Sequence, residues 1–274
     1  MPIRGRGGFA GAAVSIPPLV WFARRPIRSR VRRAVVVSVA LLALLLPLTG
    51  AGATRINVYA ATSLTQVFAR IDHAPRYSFA GSDTLATQIA QGAPADVFAS
   101  ASPKQTELLY HEGILRRPVV FATNKLIVLV PASNPAHIRS VYDLRRKGLK
   151  VIIGTPTVPV GAYTRQILDS LGITQDVMSN VVDQESDVKG IVAKIALGQG
   201  DAGLVYKTDA KPAGKRVQAI LIPAWAQPPI RYEIGIVRKS SHVAAARTFI
   251  KHVTSLRGRR LLVQAGFGLP KRPR

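Results

Sequence analysis

At 274 residues and 47% apolar side chains, the chain is long enough for two lobes of ordinary size and too apolar for a disordered protein. It has no cysteine, which excludes disulfides, thiol catalysis, cysteine-held metal and a lipid anchor built on a cysteine after a leader. The net charge of +24 does not by itself mark a nucleic-acid binder, because its distribution is wrong for one. Eight of the 38 basic residues and none of the 14 acidic ones fall in residues 1–53. The others are scattered, apart from Arg145-Arg146-Lys147 and the clusters at 257–260 and 271–274, and no aromatic residues interleave them for base stacking. A diffuse field that draws in small anions is the economical reading, with no nucleic acid as partner. The histidines (His73, His111, His137, His242 and His252) stand in no metal-ligand spacing.

Residues 30–33 are basic, 34–48 are an apolar run broken by Ser38 and Pro47, and Ala51-Gly52-Ala53 follows. This is the order of a secretory signal with its cleavage site, and the run falls short of the roughly 20 residues a membrane span needs. An exported protein is therefore expected. The Arg-rich stretch 1–30 ahead of the signal reads as the mark of a start codon placed too far upstream.

From residue 54 onward, strand and helix signals alternate. Strands are expected at 55–60, 77–79, 96–100 and 125–130, with helices at 63–71, 84–91 and 103–112 between the first four. A second unit follows, with helices at 140–147, 161–171 and 187–197 and strands at 150–154, 180–183, 202–206 and 218–222. A strand at 230–237 and one long helix at 244–262 close the chain. Alternation of this kind implies an α/β fold of two lobes, each a mostly parallel sheet flanked by helices. Lobe 1 is expected at 54–133 and 231–274 and lobe 2 at 134–230, so that two crossover segments form a hinge. Ligands of such sheets sit where strands end and helices begin.

The segments at those places are Val-Tyr-Ala-Ala-Thr-Ser-Leu-Thr (58–65), Ser-Phe-Ala-Gly-Ser-Asp-Thr-Leu-Ala (78–86) and Gly-Ala-Pro-Ala-Asp-Val-Phe (92–98). Val-Pro-Val-Gly-Ala-Tyr (158–163), Glu-Ser-Asp-Val-Lys (185–189) and Gly-Leu-Val-Tyr-Lys-Thr-Asp (203–209) continue the series, and Gly-Phe-Gly (266–268) ends it. In this order the chain resembles the periplasmic molybdate-binding proteins, which have a two-lobed type II solute-binding fold. The resemblance implies a binding protein with no catalytic residues and no cofactor, which passes molybdate, and tungstate with it, to an ABC permease and its ATPase. It places the oxyanion on Ser63, Ser82, Val160, Val188 and Tyr206, with molybdenum present only inside the oxyanion and no protein atom on the metal. A monomer is expected.

The residues themselves agree with that assignment. A buried dianion must be hydrogen-bonded on its oxygens, and helix N-termini supply N–H groups and a favourable dipole without a countercharge. Ser63 and Ser82 each fall between a strand and a helix, where a serine is expected to cap the helix. Val160 and Val188 sit at helix starts, where the backbone N–H matters and the side chain does not. Tyr206 ends an apolar strand. Taken singly, each serine also reads as a plain cap and Tyr206 as a core tyrosine.

Two departures from the family's pattern stand out. The segment between Ser63 and Ser82 is shorter by roughly two helical turns, so a truncated first helix and a tight turn at 72–75 are expected. Asp83 takes the place of a neutral residue beside a ligand serine; its carboxylate would oppose an anion and is expected to turn to solvent. Sulfate, phosphate or an organic acid would more often require an arginine clamp, which none of the five positions offers. A serine enzyme would need a nucleophile elbow, and neither serine lies in a Gly-x-Ser-x-Gly pattern. A membrane-tethered sensor would have only the leader to hold it.

Overall fold

Two five-stranded sheets organise the computed structural model, which describes residues 55–271; the expected leader and the last three residues lie outside these. The chain begins with β1 (Asn57–Ala61), a 3-10 turn (Thr62–Leu64) and α1 (Thr65–Ile71), then β2 (Arg76–Ala80), α2 (Ser82–Ala90), β3 (Val97–Ser100), α3 (Pro103–His111) and β4 (Val119–Asn124). It crosses at Lys125 into β5 (Leu126–Pro131), a 3-10 turn (Val141–Arg145), β6 (Val151–Gly154), α4 (Pro159–Leu171), α5 (Thr174–Met178), β7 (Val181–Glu185), α6 (Val188–Ala196), β8 (Ala202–Tyr206), α7 (Lys207–Ala213) and β9 (Val217–Leu221). It returns through 222–229 to β10 (Ile230–Ile236), α8 (Val243–Thr254) and α9 (Leu256–Gln264).

The two sheets repeat one plan. The first has the order β2-β1-β3-β10-β4 and the second β7-β6-β8-β5-β9. In the first, only β10 runs against the rest, pairing antiparallel with β3 and β4 while β1 pairs parallel with both β2 and β3. In the second, β5 is the reversed strand, antiparallel to β8 and β9. Each reversed strand is the first one laid down after a crossover. The α/β expectation therefore stands, with four strands of each sheet pointing the same way.

One boundary moves. The strand expected at 125–130 falls in lobe 1 by the sequence boundary, yet β5 pairs Leu126 with Tyr206 and Ile127 with Leu221 inside the second sheet. All six of its residues are buried, and such an unbroken apolar run fits the interior of either sheet equally well. The outgoing crossover is thus Lys125 rather than the expected boundary between 133 and 134. Gln227 of the return segment fastens it: the Leu126 N–H donates to Gln227 Oε1 at 3.0 Å, and Gln227 Nε2 donates to the Leu126 carbonyl at 2.7 Å.

Other differences have local causes. The long terminal helix is two, because Ser255 is extended and its hydroxyl accepts the Gly258 N–H at 3.0 Å as the cap of α9. The helix expected at 140–147 is a 3-10 turn closed by a reciprocal Ser140–Asp143 capping box. The strand β4 and helices α5 and α7 were not anticipated; α7 carries Pro212 in its interior, and proline argues against a helix. The first helix is short as expected, and Asp72 Oδ1 accepts the Ala74 N–H at 2.9 Å in the turn that follows.

Candidate oxyanion site

All five anticipated residues line a single cavity of about 20 Å³ between the two sheets. That is room for one water or one small ion, not for an organic solute. Ser63 and Ser82 come from the first sheet's side, and Val160, Val188 and Tyr206 from the second's. No Lys, Arg or His is among the lining residues. The one ionisable acid there, Asp187, has its Oδ1 occupied by the N–H groups of Lys189 and Gly190 at 2.7 and 3.3 Å.

The local structure explains why donors face this space. In α4, Pro159 is the first residue and has no N–H, so Val160 presents the first free one. In α6, the Asp187 cap takes the second and third N–H groups and leaves that of Val188 unclaimed. Neither valine N–H is used in a backbone hydrogen bond. Gly154 and Gly161 bring the end of β6 against the start of α4: a Cβ on Gly161 would lie 2.0 Å from the Thr155 carbonyl oxygen. No side chain fits there, which fixes Val160 relative to the sheet.

The serines are held differently from the expectation that they cap helices. Gly81 is the N-cap of α2, and Ser82 is its first residue, with no side-chain cap. Ser82 Oγ instead accepts the Ala101 N–H at 3.1 Å, which leaves its own proton free. Ser63 lies within the 3-10 turn, and its Oγ is 3.0 Å from Tyr232 Oη. A serine at a strand-to-helix junction has two uses for its hydroxyl, and sequence shows only the commoner one.

Tyr206 is 2% exposed and its hydroxyl has no hydrogen-bond partner. A buried hydroxyl left unpaired costs about 1–3 kcal/mol, so the position asks for a ligand. Burial, with Tyr232 beside it, pushes the Tyr206 hydroxyl well above its ordinary pKa, so it acts as a donor. Asp209, three residues on, is also buried, with Oδ2 unpaired. Burial pushes its carboxyl up to about 8, against the opposing pull of Lys189.

Asp83 does not line the cavity and turns to solvent only in part: the residue is half-buried, with its Oδ1 buried and unpaired near Gly81. Sequence reasoning missed Tyr232, whose distance of 169 residues from Ser63 leaves no local signal. It also missed Gly81, although a glycine between strand and helix is a sign of close approach. A larger cleft of about 570 Å³ adjoins the cavity through Thr62 and Ser63. Its cations, Arg70, Lys189, Lys211 and Arg216, are exposed at the rim, and its lining includes the apolar Val67, Val192 and Phe267.

Comparison with known proteins identifies the family. Residues 56–268 match the family model for bacterial extracellular solute-binding proteins. The molybdate-binding protein of Mycobacterium tuberculosis is 41% identical over 229 residues, covering 80% of this chain and 86% of that one. That of Haemophilus influenzae is 30% identical over 249 residues, covering 84% and 96%. Among solved structures, the periplasmic molybdate-binding protein of Azotobacter vinelandii superposes with a TM-score of 0.71 at 25% identity, covering 79% of this chain and all of the other. The chain belongs to the bacterial extracellular solute-binding proteins, in the group of the molybdate-binding relatives, and it binds a solute rather than catalysing a reaction.

Proposed function

We propose that this protein captures molybdate through Ser63, Ser82, Val160, Val188 and Tyr206, and holds it for an ABC importer. The observation that carries the reading is the convergence of unused donors on one small cavity without a cation. The Tyr206 hydroxyl, the N–H groups of Val160 and Val188 and the Ser82 proton are all spare, and a small oxyanion uses all of them. The names of the relatives support molybdate over other anions.

The anion enters while the sheets are apart and bridges the two sides. Contacts that exist only when both engage then favour the closed form. Motion centres on Lys125 and 222–229, which Gln227 ties together. The closed form docks on a permease driven by an ATPase, the protein acts as a monomer, and the leader is cut after Ala53. Among the described residues no helix is long and apolar enough to cross a membrane.

A thermal-shift series with molybdate, tungstate, sulfate and phosphate tests the ligand. Molybdate at 100 times its dissociation constant stabilises by about 2.7 kcal/mol. Tungstate, nearly the same size, should match it, while sulfate is smaller and leaves fixed donors badly placed. Equal shifts for all four anions, or none, would overturn the assignment. Tyr206→Phe should reduce the shift and raise rather than lower the apo midpoint, since its buried hydroxyl has no partner in the fold. Ser82→Ala should reduce the shift and also lower the apo midpoint, because it strands the Ala101 N–H.

A further inference from the structure

Behind Ser63 stands a buried chain of side chains that do not line the small cavity. Asn124, the last residue of β4, accepts the Lys125 N–H on Oδ1 at 2.9 Å. That bond fixes which way the amide points, since the flipped amide would set its NH₂ group against another donor. Nδ2 therefore faces the other way and donates to Thr208 Oγ1 at 3.0 Å and to Tyr232 Oη at 3.3 Å. Tyr232 Oη lies 3.0 Å from Ser63 Oγ, a pair in which either hydroxyl can donate; with Tyr232 Oη already accepting from Asn124, its single proton is free for Ser63. In that arrangement Ser63 Oγ accepts, and its own proton is left for the cavity.

We propose that Asn124 and Tyr232 are positioning residues that orient the Ser63 hydroxyl so that it donates to the bound oxyanion. This rests on the molybdate reading above. Were the direction reversed, Ser63 would spend its only proton on Tyr232 and turn a lone pair towards an anion. Burial keeps the Tyr232 hydroxyl protonated. Ser82 reaches the same state by another route, with the Ala101 N–H occupying its oxygen. Each serine is thus polarised from behind by a donor, which is what a site without cations requires.

The relay also touches the hinge. Asn124 directly precedes the crossover residue Lys125, whose carbonyl accepts the Lys207 N–H at 2.9 Å, and Thr208 belongs to α7 of the second sheet's side. The amide that orients Ser63 is therefore set by groups on both sides of the crossover.

Double-mutant cycles read by calorimetric titration of the full chain with molybdate test the relay. Tyr232→Phe should weaken binding about five- to tenfold, the worth of one hydrogen bond. In a Ser63→Ala background the same change should have no effect, whereas in a Ser82→Ala background it should keep its full effect. A general loosening of the site would not produce that difference. Asn124→Asp provides a second variant: a carboxylate would draw the Tyr232 proton away from Ser63, with a loss at least as large as that of Tyr232→Phe, in protein whose apo melting shows it folded. Additive effects in both backgrounds, coupling to both serines, or no loss with Tyr232→Phe would each overturn the relay while the molybdate assignment stands. Failure of the unaltered chain to bind molybdate removes the assignment, and the relay with it.

Discussion

Alanine in place of Gly81 is expected to hold the two sides of the protein apart. Gly81 has φ −56° and ψ 141°, a conformation any residue adopts, so the substitution costs little within its own side. The added Cβ would lie 2.5 Å from the Ser186 carbonyl oxygen, which belongs to the loop between β7 and α6 across the cleft. It would also lie 2.8 Å from Asp83 Oδ1, but a side chain can move aside where a backbone carbonyl cannot. The clash therefore penalises the closed arrangement selectively. An overpacking cost of about 1–3 kcal/mol falls on that state, so molybdate affinity should drop about ten- to hundredfold. The apo melting temperature should change little. Titration calorimetry reads the affinity, and small-angle scattering reads whether molybdate still compacts the molecule. Wild-type affinity in Gly81→Ala would show that closure does not pass through this contact.

Asp209 should make both stability and binding depend on pH. Burial raises its carboxyl to about 8, so the folded protein keeps a proton that the unfolded chain releases in the ordinary carboxylate range. Between those values the unfolded state binds fewer protons, and stability falls as pH rises, by up to about 1.4 kcal/mol per pH unit. Above about 8 the slope disappears, because both states have lost the proton. Asp209→Asn, which needs no proton to be neutral, should flatten the profile and at pH 8 be more stable by at least about 2 kcal/mol. Urea unfolding from pH 5 to 9 checks this, and a parallel profile in the variant would refute it. Molybdate affinity should fall as pH passes about 8, since the ionised carboxylate lies near Tyr206 and opposes an anion. The Asn variant should lose that dependence too.

The parts of the molecule legible in the sequence are those encoded locally. Alternating apolar runs marked most strands, and the helix starts that follow β1, β2, β6, β7 and β8 led directly to the cavity. Membership of a sheet was not legible for Leu126–Pro131, because a strand buried on both faces has no side that distinguishes one neighbour from another. A helix break at Ser255 was hidden by favourable periodicity on both sides of it. The site residues that line the cavity were named by the resemblance, and each sits at a junction between strand and helix. What holds them was not legible: Tyr232 reaches Ser63 from β10, and the Ala101 N–H reaches Ser82 from beyond the end of β3. Asp83 was legible only in part: the residue is half-exposed, but its Oδ1 is buried near Gly81, whose close approach to Ser186 depends on the other side of the cleft.

A cavity lined by hydroxyls and amides, with its cations scattered over the surface, separates the kinetics of arrival from those of departure. Surface charge raises the local concentration of an anion, and salt screens that field over a Debye length of about 8 Å at physiological ionic strength. Once enclosed, the dianion is out of reach of mobile ions, and its escape waits on reopening. Added salt should therefore slow molybdate association in stopped-flow measurements and leave dissociation nearly unchanged. With no lysine or arginine lining the cavity, parting the two sheets would be enough for water to reclaim the anion.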